Sequence, residues 1–284
     1  MKRVIPFTKM HGLGNDYIYV DVTSRPLPDP ERLAVLWSDR HKGIGSDGLI
    51  LIGASDEADF SMRIFNADGS EARMCGNGIR CVGKYVHDKG LTSKTDLRVE
   101  TLSGIRDLHL SLGDDGLVRS VTVDMGLGTP LLVHRPGGEQ NKLVGETVTV
   151  SGVSYTGTAI CMGNPHLVLL VPDAENAAVE RDGSLLEVSP LFPDKVNVEF
   201  AEVLDRTHVR MRVWERGSGV TRACGTGACA TAVAMAMAGK VDPAGTEIRM
   251  DGGALTVRWD PAGKRTFMTG DATMVYEGEI ACPE

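Results

Sequence analysis

Apolar positions along this chain alternate over short runs, and turns rich in glycine and proline separate the runs. These runs predict a strand that ends near Asp21 and further strands at 49–52, 61–66, 97–101, 105–112 and 120–125. Helical spacing of apolar residues predicts helices at 31–39, 78–88 and 227–238. Pro136-Gly137-Gly138 and its polar neighbours indicate a loop or linker. The pattern therefore predicts a chain of the α/β (α+β) class.

The helix predicted at 227–238 is apolar on every face, because it consists largely of Ala, Met and Val. A helix without a polar face has to be surrounded by protein. The helix predicted at 78–88 carries Arg80, Lys84 and His87, so we expect it to be less completely buried. Several short strands around a buried helix predict a sheet that wraps around a central helix.

The second half of the chain repeats the first at a constant offset of 149 residues. The matched pairs are Gly14 with Gly163, Asn15 with Asn164, Arg63 with Arg212, Cys75 with Cys224 and Gly90 with Gly239. The register holds over about 90 residues, a period far longer than that of a solenoid repeat. It predicts two pseudo-symmetric copies of one domain.

The composition of the chain argues against several classes of function. The chain has 284 residues, of which 42% are hydrophobic, and a net charge of −8. This acidic balance argues against a nucleic-acid or anionic-membrane surface, and no apolar run approaches a membrane span or a signal-peptide core. We expect a cytoplasmic protein. Disulfides are not expected for the six cysteines, because the chain is long and shows no secretion signal. A zinc site is not expected either, because the cysteine spacing departs from the usual zinc pairs.

Two of the cysteines, Cys75 and Cys224, each stand directly before Gly-x-Gly at a predicted helix start. A helix N-terminus stabilises a thiolate and lowers the pKa of a cysteine toward neutrality. Two such thiols on matched domains, facing each other across a cleft, suit proton removal from one face of a carbon and proton delivery to the other. By contrast, Cys81 and Cys229 lie further along the same helices and are expected to be packed side chains.

This pattern predicts a racemase or epimerase that works without a cofactor, since no motif supplies an electron sink. Backbone N–H groups at the two helix starts are candidates to hold the substrate carboxylate, namely those of Gly76, Asn77, Gly225 and Thr226. Three other interpretations stay open at this point: capped or buried thiols without chemistry, a thiol enzyme with one covalent nucleophile, and a binding protein with the same duplicated fold.

Several motifs together resemble the diaminopimelate epimerase family. They are His11-Gly-Leu-Gly-Asn-Asp, Phe65-Asn-Ala-Asp-Gly-Ser, Cys75-Gly-Asn-Gly, Gly163-Asn-Pro-His, Trp214-Glu-Arg-Gly-Ser-Gly and Ala223-Cys-Gly-Thr-Gly-Ala. The resemblance covers nearly the whole chain. It implies a pyridoxal-independent isomerase, with neither cofactor nor metal, that converts LL- to meso-2,6-diaminopimelate for lysine and peptidoglycan precursors.

The resemblance also implies an architecture. Each of two domains is expected to be a β-barrel around a central helix, with the active site in the cleft between the domains. The C-terminal strand is expected to return to the first domain, which places the N-terminal domain at 1–125 with 271–284 and the C-terminal domain at 126–270. Tyr276 resembles a tyrosine at the family's dimer contact, so a homodimer is expected.

By the same resemblance, Cys75 and Cys224 form the acid–base pair, and His166 and Glu215 tune the pKa of the thiols. The implied substrate-binding residues are Asn15, Asn66, Gly76, Asn77, Asn164, Asn197, Glu215, Arg216, Gly225 and Thr226. Their chemistry suits a small diamino diacid. Amide side chains both donate and accept hydrogen bonds, and a guanidinium forms two parallel hydrogen bonds with a carboxylate.

One position departs from the family pattern. Many members carry Gln where this chain has Gly48, and the repeat places Gly48 opposite Asn197. A related alternative is a proline or hydroxyproline racemase, another two-cysteine enzyme. Those enzymes place His two residues after the first cysteine, where this chain has Asn77, and a small cyclic substrate leaves Arg216 without a role.

Overall fold

The structure, a computed structural model, describes residues 3–282. The first elements are β1 Val4–Gly12, β2 Asn15–Asp21, α1 Pro30–Ser38, β3 Gly48–Gly53, β4 Phe60–Asn66, β5 Glu71–Ala72, α2 Gly76–Asp88, β6 Asp96–Thr101, β7 Gly104–Leu112 and β8 Val118–Leu127. They are followed by β9 Thr129–Pro130, β10 Leu132–His134, β11 Gln140–Lys142, β12 Val144–Val150, β13 Val153–Cys161, β14 Pro165–Leu170, α3 Val179–Glu187, β15 Asn197–Val203, β16 His208–Glu215, β17 Gly219–Thr221, α4 Gly225–Met237, β18 Thr246–Met250, β19 Gly253–Trp259, β20 Arg265–Gly270 and β21 Thr273–Ala281.

The chain divides into two compact units. The first unit runs to Val123 and takes up the chain again from Gly270, so it includes β21. The second unit is Asp124–Thr269. The C-terminal strand thus pairs within the first unit, antiparallel to β1.

In the first unit, hydrogen-bonded neighbours follow the order β21, β1, β2, β3, β4, β6, β7 and β8. Two neighbouring pairs are parallel, β2 with β3 and β4 with β6. Parallel neighbours need a crossover connection, and a helix provides each one: α1 joins β2 to β3, and α2 joins the β4–β5 hairpin to β6. Helix α2 contacts β1, β2 and β7, so the sheet surrounds it.

The second unit repeats this scheme in the order β12, β13, β14, β15, β16, β18, β19 and β20. Its parallel pairs are β14 with β15 and β16 with β18, and their crossover helices are α3 and α4. Helix α4 contacts strands from β13 to β19. Each unit is therefore a sheet around one central helix, as the sequence predicted.

The repeat extends further than the sequence matches indicated. Strand β13 follows β1 at the offset of 149 residues, and so do α3 after α1 and α4 after α2, with identical lengths in each pair. Because whole elements keep the register outside the matched motifs, the duplication is conserved in backbone geometry as well as in sequence.

Helix α4 is buried almost continuously from Gly227 to Met235, which confirms the prediction from its apolar faces. The prediction that α2 is less completely buried was wrong for Arg80, whose exposed fraction is 0%. The Arg80 guanidinium donates to two backbone carbonyls, those of Gly76 and Asp271, which replace water for the buried charge. A buried cation therefore lies on the helix that begins at Cys75.

Segment 136–138, predicted as a loop or linker, is the turn of the β10–β11 hairpin. Gly137 and Gly138 have φ of 94° and 86°, a conformation that favours glycine. Among residues 3–282, no helix combines the length and apolarity that crossing a membrane requires.

Candidate active site

Cys75 and Cys224 occupy the same position in their units, the residue that caps the N-terminus of the central helix. Both have extended backbones, with φ/ψ of −137°/116° at Cys75 and −128°/111° at Cys224. The Cys75 Sγ accepts from Gly78 N at 3.3 Å, and the Cys224 Sγ accepts from Gly227 N at 3.4 Å. Each thiol therefore replaces the usual side-chain oxygen of an N-cap and meets the positive end of the helix dipole.

The second glycine of each Cys-Gly-x-Gly motif is tightly packed. A methyl group on Gly78 would lie 2.7 Å from Ile50 Cδ1. A methyl group on Gly227 would lie 2.8 Å from Glu199 Oε1 and 3.2 Å from the Cys224 Sγ. A larger residue at either position would require these side chains to move.

In the first unit, Asn15 lies beside the thiol. It begins β2 after Gly14, whose φ is +82°, and its Oδ1 is 3.3 Å from the Cys75 Sγ. Asn66 ends β4, and its Nδ2 donates to Ser70 Oγ at 3.0 Å. The structure thus brings Asn15 to Cys75 and places Asn66 at the end of β4, two strands away from β2.

Gly48 pairs with Tyr17 on one side and with Asn66 on the other. In the second unit Asn197 has the equivalent place, aligned with His166 on β14. A methyl group on Gly48 would lie 2.2 Å from the Phe65 carbonyl oxygen and 2.8 Å from Tyr17 Cε1. The backbone leaves no space for a side chain at residue 48, so a glutamine amide has no room there.

The second unit contains a buried hydrogen-bonded series that ends near Cys224. Glu199 Oε1 is 2.6 Å from His166 Nδ1, and both side chains have an exposed fraction of 0%. His166 Nε2 lies 3.0 Å from Asn164 Oδ1. Asn164 Nδ2 donates to Thr226 Oγ1 at 3.4 Å, and this hydroxyl is 3.6 Å from the Cys224 Sγ. His166 is thus linked to Cys224 by contacts through Asn164 and Thr226.

The environment of Cys224 favours the protonated thiol. Burial raises the pKa of Cys224 well above its usual range, and the carboxylates of Glu215 and Glu199 raise it further. Hydrogen bonds from Thr226 and Gly227 act in the opposite direction and lower this pKa. Glu215 ends β16, where it accepts a hydrogen bond from Thr221 Oγ1. The structure therefore places Glu215 where it influences the Cys224 thiol electrostatically.

A pocket of about 550 Å³ opens in the second unit next to these residues. Asn164 and Arg216 line it together with Lys195, Asp194 and an apolar wall that includes Phe192. Asn197 fixes the Arg216 backbone, because its Oδ1 accepts from Arg216 N at 2.8 Å. The Arg216 Nη1 donates to the Asp194 carbonyl at 2.8 Å. This pocket joins amide and guanidinium groups in a volume suited to a small polar ligand.

The remaining predicted binding residues form the first turns of the two helices. Gly76 and Asn77 begin α2, and Asn77 is only 4% exposed. Gly225 and Thr226 begin α4 in the same way. The first backbone N–H groups of a helix lack intrahelical partners, so both starts present donors to an anion.

The other cysteines and Tyr276 lie apart from these helix starts. Cys81 and Cys229 are completely buried, which confirms the expectation of packed side chains. The six cysteines form no disulfide bond with one another, and residues 3–282 contain no cluster of three or more His, Cys, Asp or Glu arranged for a metal. Tyr276 is 44% exposed on β21 and stacks edge-on against Phe7 at 6.0 Å between ring centroids.

Two carboxylates next to the site, those of Glu199 and Asp47, were not predicted from the sequence. Glu199 lies inside the apolar strand β15, and the repeat offers a signal for it because its counterpart in the first half is Ile50. Asp47 accepts from Asn15 Nδ2 at 2.9 Å. It stands in a glycine-rich turn, where an aspartate is expected for local reasons, so its contact with Asn15 had no sequence signal.

Comparison with known proteins assigns this arrangement to a family. The family model described as diaminopimelate epimerase matches residues 7–129 and 158–275. A diaminopimelate epimerase of Phocaeicola vulgatus is 55% identical over 99% of this chain and 99% of that protein. One from Methanococcus maripaludis is 49% identical over 96% of this chain and 99% of its own length.

Solved structures share the fold at much lower identity. A PhzF-family phenazine biosynthesis protein of Bacillus anthracis matches 99% of this chain and all of its own, with a TM-score of 0.72 and 18% identity. A hydroxyproline epimerase from Agrobacterium vitis matches 99% of this chain and 94% of its own, with a TM-score of 0.68 and 19% identity. At these identities the similarity concerns the fold alone, and it confirms the predicted fold class.

Proposed function

This chain belongs to the diaminopimelate epimerase family, and we propose that it interconverts LL- and meso-2,6-diaminopimelate by two-base proton transfer at one α-carbon. The family resemblance of the sequence motifs is thereby confirmed. The observation that carries the proposed mechanism is the pair of thiols, each capping the N-terminus of the central helix of its unit. An epimerase that inverts a carbon needs a base on one face of the carbon and an acid on the other, and the duplicated motif offers one thiol for each role.

In the proposed reaction, one cysteine as thiolate removes the α-proton from one face of the substrate carbon. The other cysteine, as thiol, delivers a proton to the opposite face. Cys75 and Cys224 thereby exchange protonation states in each turnover. The reverse reaction uses the same two groups with their roles exchanged.

The negative charge that develops on the substrate carboxylate needs donors that are already in place. We assign this role to the free N–H groups in the first turns of α2 and α4, at Gly76 and Asn77 and at Gly225 and Thr226. Helix starts supply such donors without reorganisation, so they stabilise charge most strongly when it develops.

The second amino-acid end of the substrate requires a different set of groups. We assign its carboxylate to Arg216 in the pocket of the second unit, with Asn164 and Asn197 beside it. A guanidinium forms two parallel hydrogen bonds with a carboxylate, and amide groups can accept from the ammonium and donate to the carboxylate. Asn15 and Asn66 complete the proposed set from the first unit. Glu215 and His166 are proposed to tune the thiols, Glu215 through its charge and His166 through Asn164.

A proline or hydroxyproline racemase has less support. The curated relatives at 53–55% identity, which span nearly the whole chain, are all diaminopimelate epimerases. The hydroxyproline epimerase shares the fold at 19% identity. The pocket at Arg216 also suits a substrate with a second charged end.

Four further points belong to the proposal as expectations from the family. The enzyme works without pyridoxal phosphate, it is cytoplasmic, and it forms a homodimer with Tyr276 at the contact. The domains are those expected at 1–125 with 271–284 and at 126–270.

The test is incubation of the purified protein with LL-2,6-diaminopimelate in D₂O without added cofactor. Appearance of meso product with deuterium at one α-carbon supports the proposal. Turnover of proline or hydroxyproline without turnover of diaminopimelate would establish the alternative instead.

A further inference from the structure

We propose that Asp47 is a positioning residue that holds the Asn15 amide with its oxygen toward Cys75 and so favours the thiol of Cys75 over its thiolate. The inference rests on the proposed function only in taking Cys75 as one of the acid–base pair. All of its contacts lie within the first unit.

The contacts of Asp47 fix which end of the Asn15 amide faces the thiol. Asp47 Oδ2 accepts from Asn15 Nδ2 at 2.9 Å and from Asp16 N at 3.1 Å. Its Oδ1 accepts from Arg40 Nη2 at 2.9 Å. An ionised carboxylate only accepts hydrogen bonds, so the NH₂ group of Asn15 must face Asp47. The amide oxygen is therefore left toward Cys75, 3.3 Å from its Sγ.

This orientation distinguishes the two protonation states of Cys75. An amide oxygen accepts a hydrogen bond from S–H, whereas it repels the negative charge of a thiolate. Rotation of the Asn15 amide by half a turn would present N–H to the sulfur and favour the thiolate. Asp47 thus opposes the lowering of the Cys75 pKa by the helix N-terminus.

The second unit shows the opposite arrangement around the equivalent asparagine. Asn164 presents its Oδ1 to His166 Nε2 and its Nδ2 to Thr226 Oγ1, on the side of the helix start. The residue that corresponds to Asp47 in the repeat is Val196, which is apolar and completely buried. The duplicated asparagines are therefore held with opposite ends toward their helices, and different residues hold them.

The ionisable side chains that interact electrostatically with Cys75 include Tyr19, Cys81 and Arg80. Burial raises the pKa of Tyr19 well above its usual range and that of Cys81 to about 12, so both stay neutral below about pH 9. The buried Arg80 remains a cation throughout this range. These three groups keep their charge state below about pH 9, so a change in the titration of Cys75 in Asp47 variants does not arise from them.

The experiment measures the rate of alkylation by iodoacetamide against pH, because only the thiolate reacts. Trypsin releases the peptide 74–80, which contains Cys75 and no other cysteine, so mass spectrometry follows this thiol alone. Asp47→Ala is expected to move the midpoint to lower pH by about one unit, a roughly tenfold faster reaction at a fixed pH below both midpoints.

Asp47→Asn distinguishes an effect of the Asn15 amide orientation from an effect of the Asp47 charge. It removes the charge but keeps an oxygen where Asn15 Nδ2 and Asp16 N both donate, so its midpoint is expected to stay near that of the wild type. Asp59→Ala is the matched control. Asp59 also accepts from a backbone N–H and a cation, those of Arg98 and Lys94, and its loss should leave the midpoint unchanged.

A midpoint that stays or rises in Asp47→Ala would overturn the proposal, and so would equal shifts in Asp47→Ala and Asp47→Asn. Asn15→Ala should lower the midpoint by itself, and in that background Asp47→Ala should add nothing. An unchanged midpoint in Asn15→Ala would also refute the proposal, and this test holds even if Asp47→Ala fails to fold. Alkylation needs no substrate, so failure to turn over diaminopimelate is a separate result.

Discussion

Glu199 Oε1 lies 2.6 Å from His166 Nδ1, and neither side chain is exposed to solvent. Burial raises the pKa of Glu199, while His166 lowers it. One proton shared between the two groups of this contact leaves the pair neutral, whether it resides on the carboxyl group or on the imidazole. A neutral pair is the form in which two ionisable groups avoid the cost of an unpaired buried charge.

Substitution of Glu199 by Leu should destabilise the fold strongly. The change leaves His166 Nδ1 without its partner in a buried site, and removing one member of a buried pair costs about 3–5 kcal/mol. Glu199→Gln retains a donor for Nδ1, so its cost should be only about 1 kcal/mol. Equilibrium unfolding in urea measures both free energies.

Glu202→Gln is the control, since Glu202 lies on the same strand but is half-buried and accepts a hydrogen bond from Ala174 N. It should change the free energy of unfolding by less than Glu199→Leu does. Equal stabilities of Glu199→Leu and Glu199→Gln would show that the contact with His166 does not stabilise the fold.

The two capping cysteines should be indispensable for epimerisation. Cys75→Ala and Cys224→Ala each remove a proton carrier, and general acid–base groups contribute about 10²–10⁴-fold to rate. Each variant should therefore lose at least this factor in kcat/KM with LL-diaminopimelate. Cys81→Ala and Cys229→Ala should retain activity, because both thiols are buried within the helices. Loss of activity in all four folded variants would refute the assignment of roles.

Gly48→Ala should destabilise the protein, since the added methyl group would lie 2.2 Å from the Phe65 carbonyl oxygen. Overpacking costs about 1–3 kcal/mol, and a clash with backbone belongs at the upper end of this range. Gly245→Ala is the matched control, because nothing lies within 4 Å of the position of its added methyl group. Equal unfolding midpoints for the two variants would contradict the close approach seen at Gly48.

The duplication explains why so much of the fold was accessible from the sequence. The offset that relates Cys75 to Cys224 also relates α1 to α3, where the sequence offered no motif. Local sequence patterns were sufficient to predict the central helices. In each one a capping residue, two glycines and an apolar run all indicate the same first residue. The burial of Arg80 was missed because two backbone carbonyls distant in sequence from each other, Gly76 and Asp271, satisfy its guanidinium.

The site was predictable to the extent that its residues lie in motifs. Asn15, Asn164 and Arg216 follow from the motifs, whereas the carboxylates that contact Asn15 and His166 do not. Asp47 reaches Asn15 from a turn 32 residues away, and Glu199 reaches His166 across a parallel strand pair 33 residues away. Such contacts arise from strand register, which local composition does not specify.

The buried thiols should make stability fall at alkaline pH. The pKa of Cys81 is about 12 in the folded protein against a usual value of 9.0, and burial also raises that of Cys224. Because the folded state keeps protons that the unfolded state loses, the stabilisation is complete below about pH 9 and declines above it. Each thiol contributes a slope of up to about 1.4 kcal/mol per pH unit in the free energy of unfolding.

Urea unfolding between pH 8 and pH 10 tests this dependence, before ionisation of tyrosines in the unfolded chain adds to it. Cys81→Ala should flatten the decline, because it removes one of the buried thiols. Cys161→Ala should leave the slope unchanged, because Cys161 is only partly buried and the variant retains all the buried thiols. The same decline in Cys81→Ala as in the wild type would mean that the Cys81 thiol ionises as readily in the folded protein as in the unfolded chain, which its complete burial opposes.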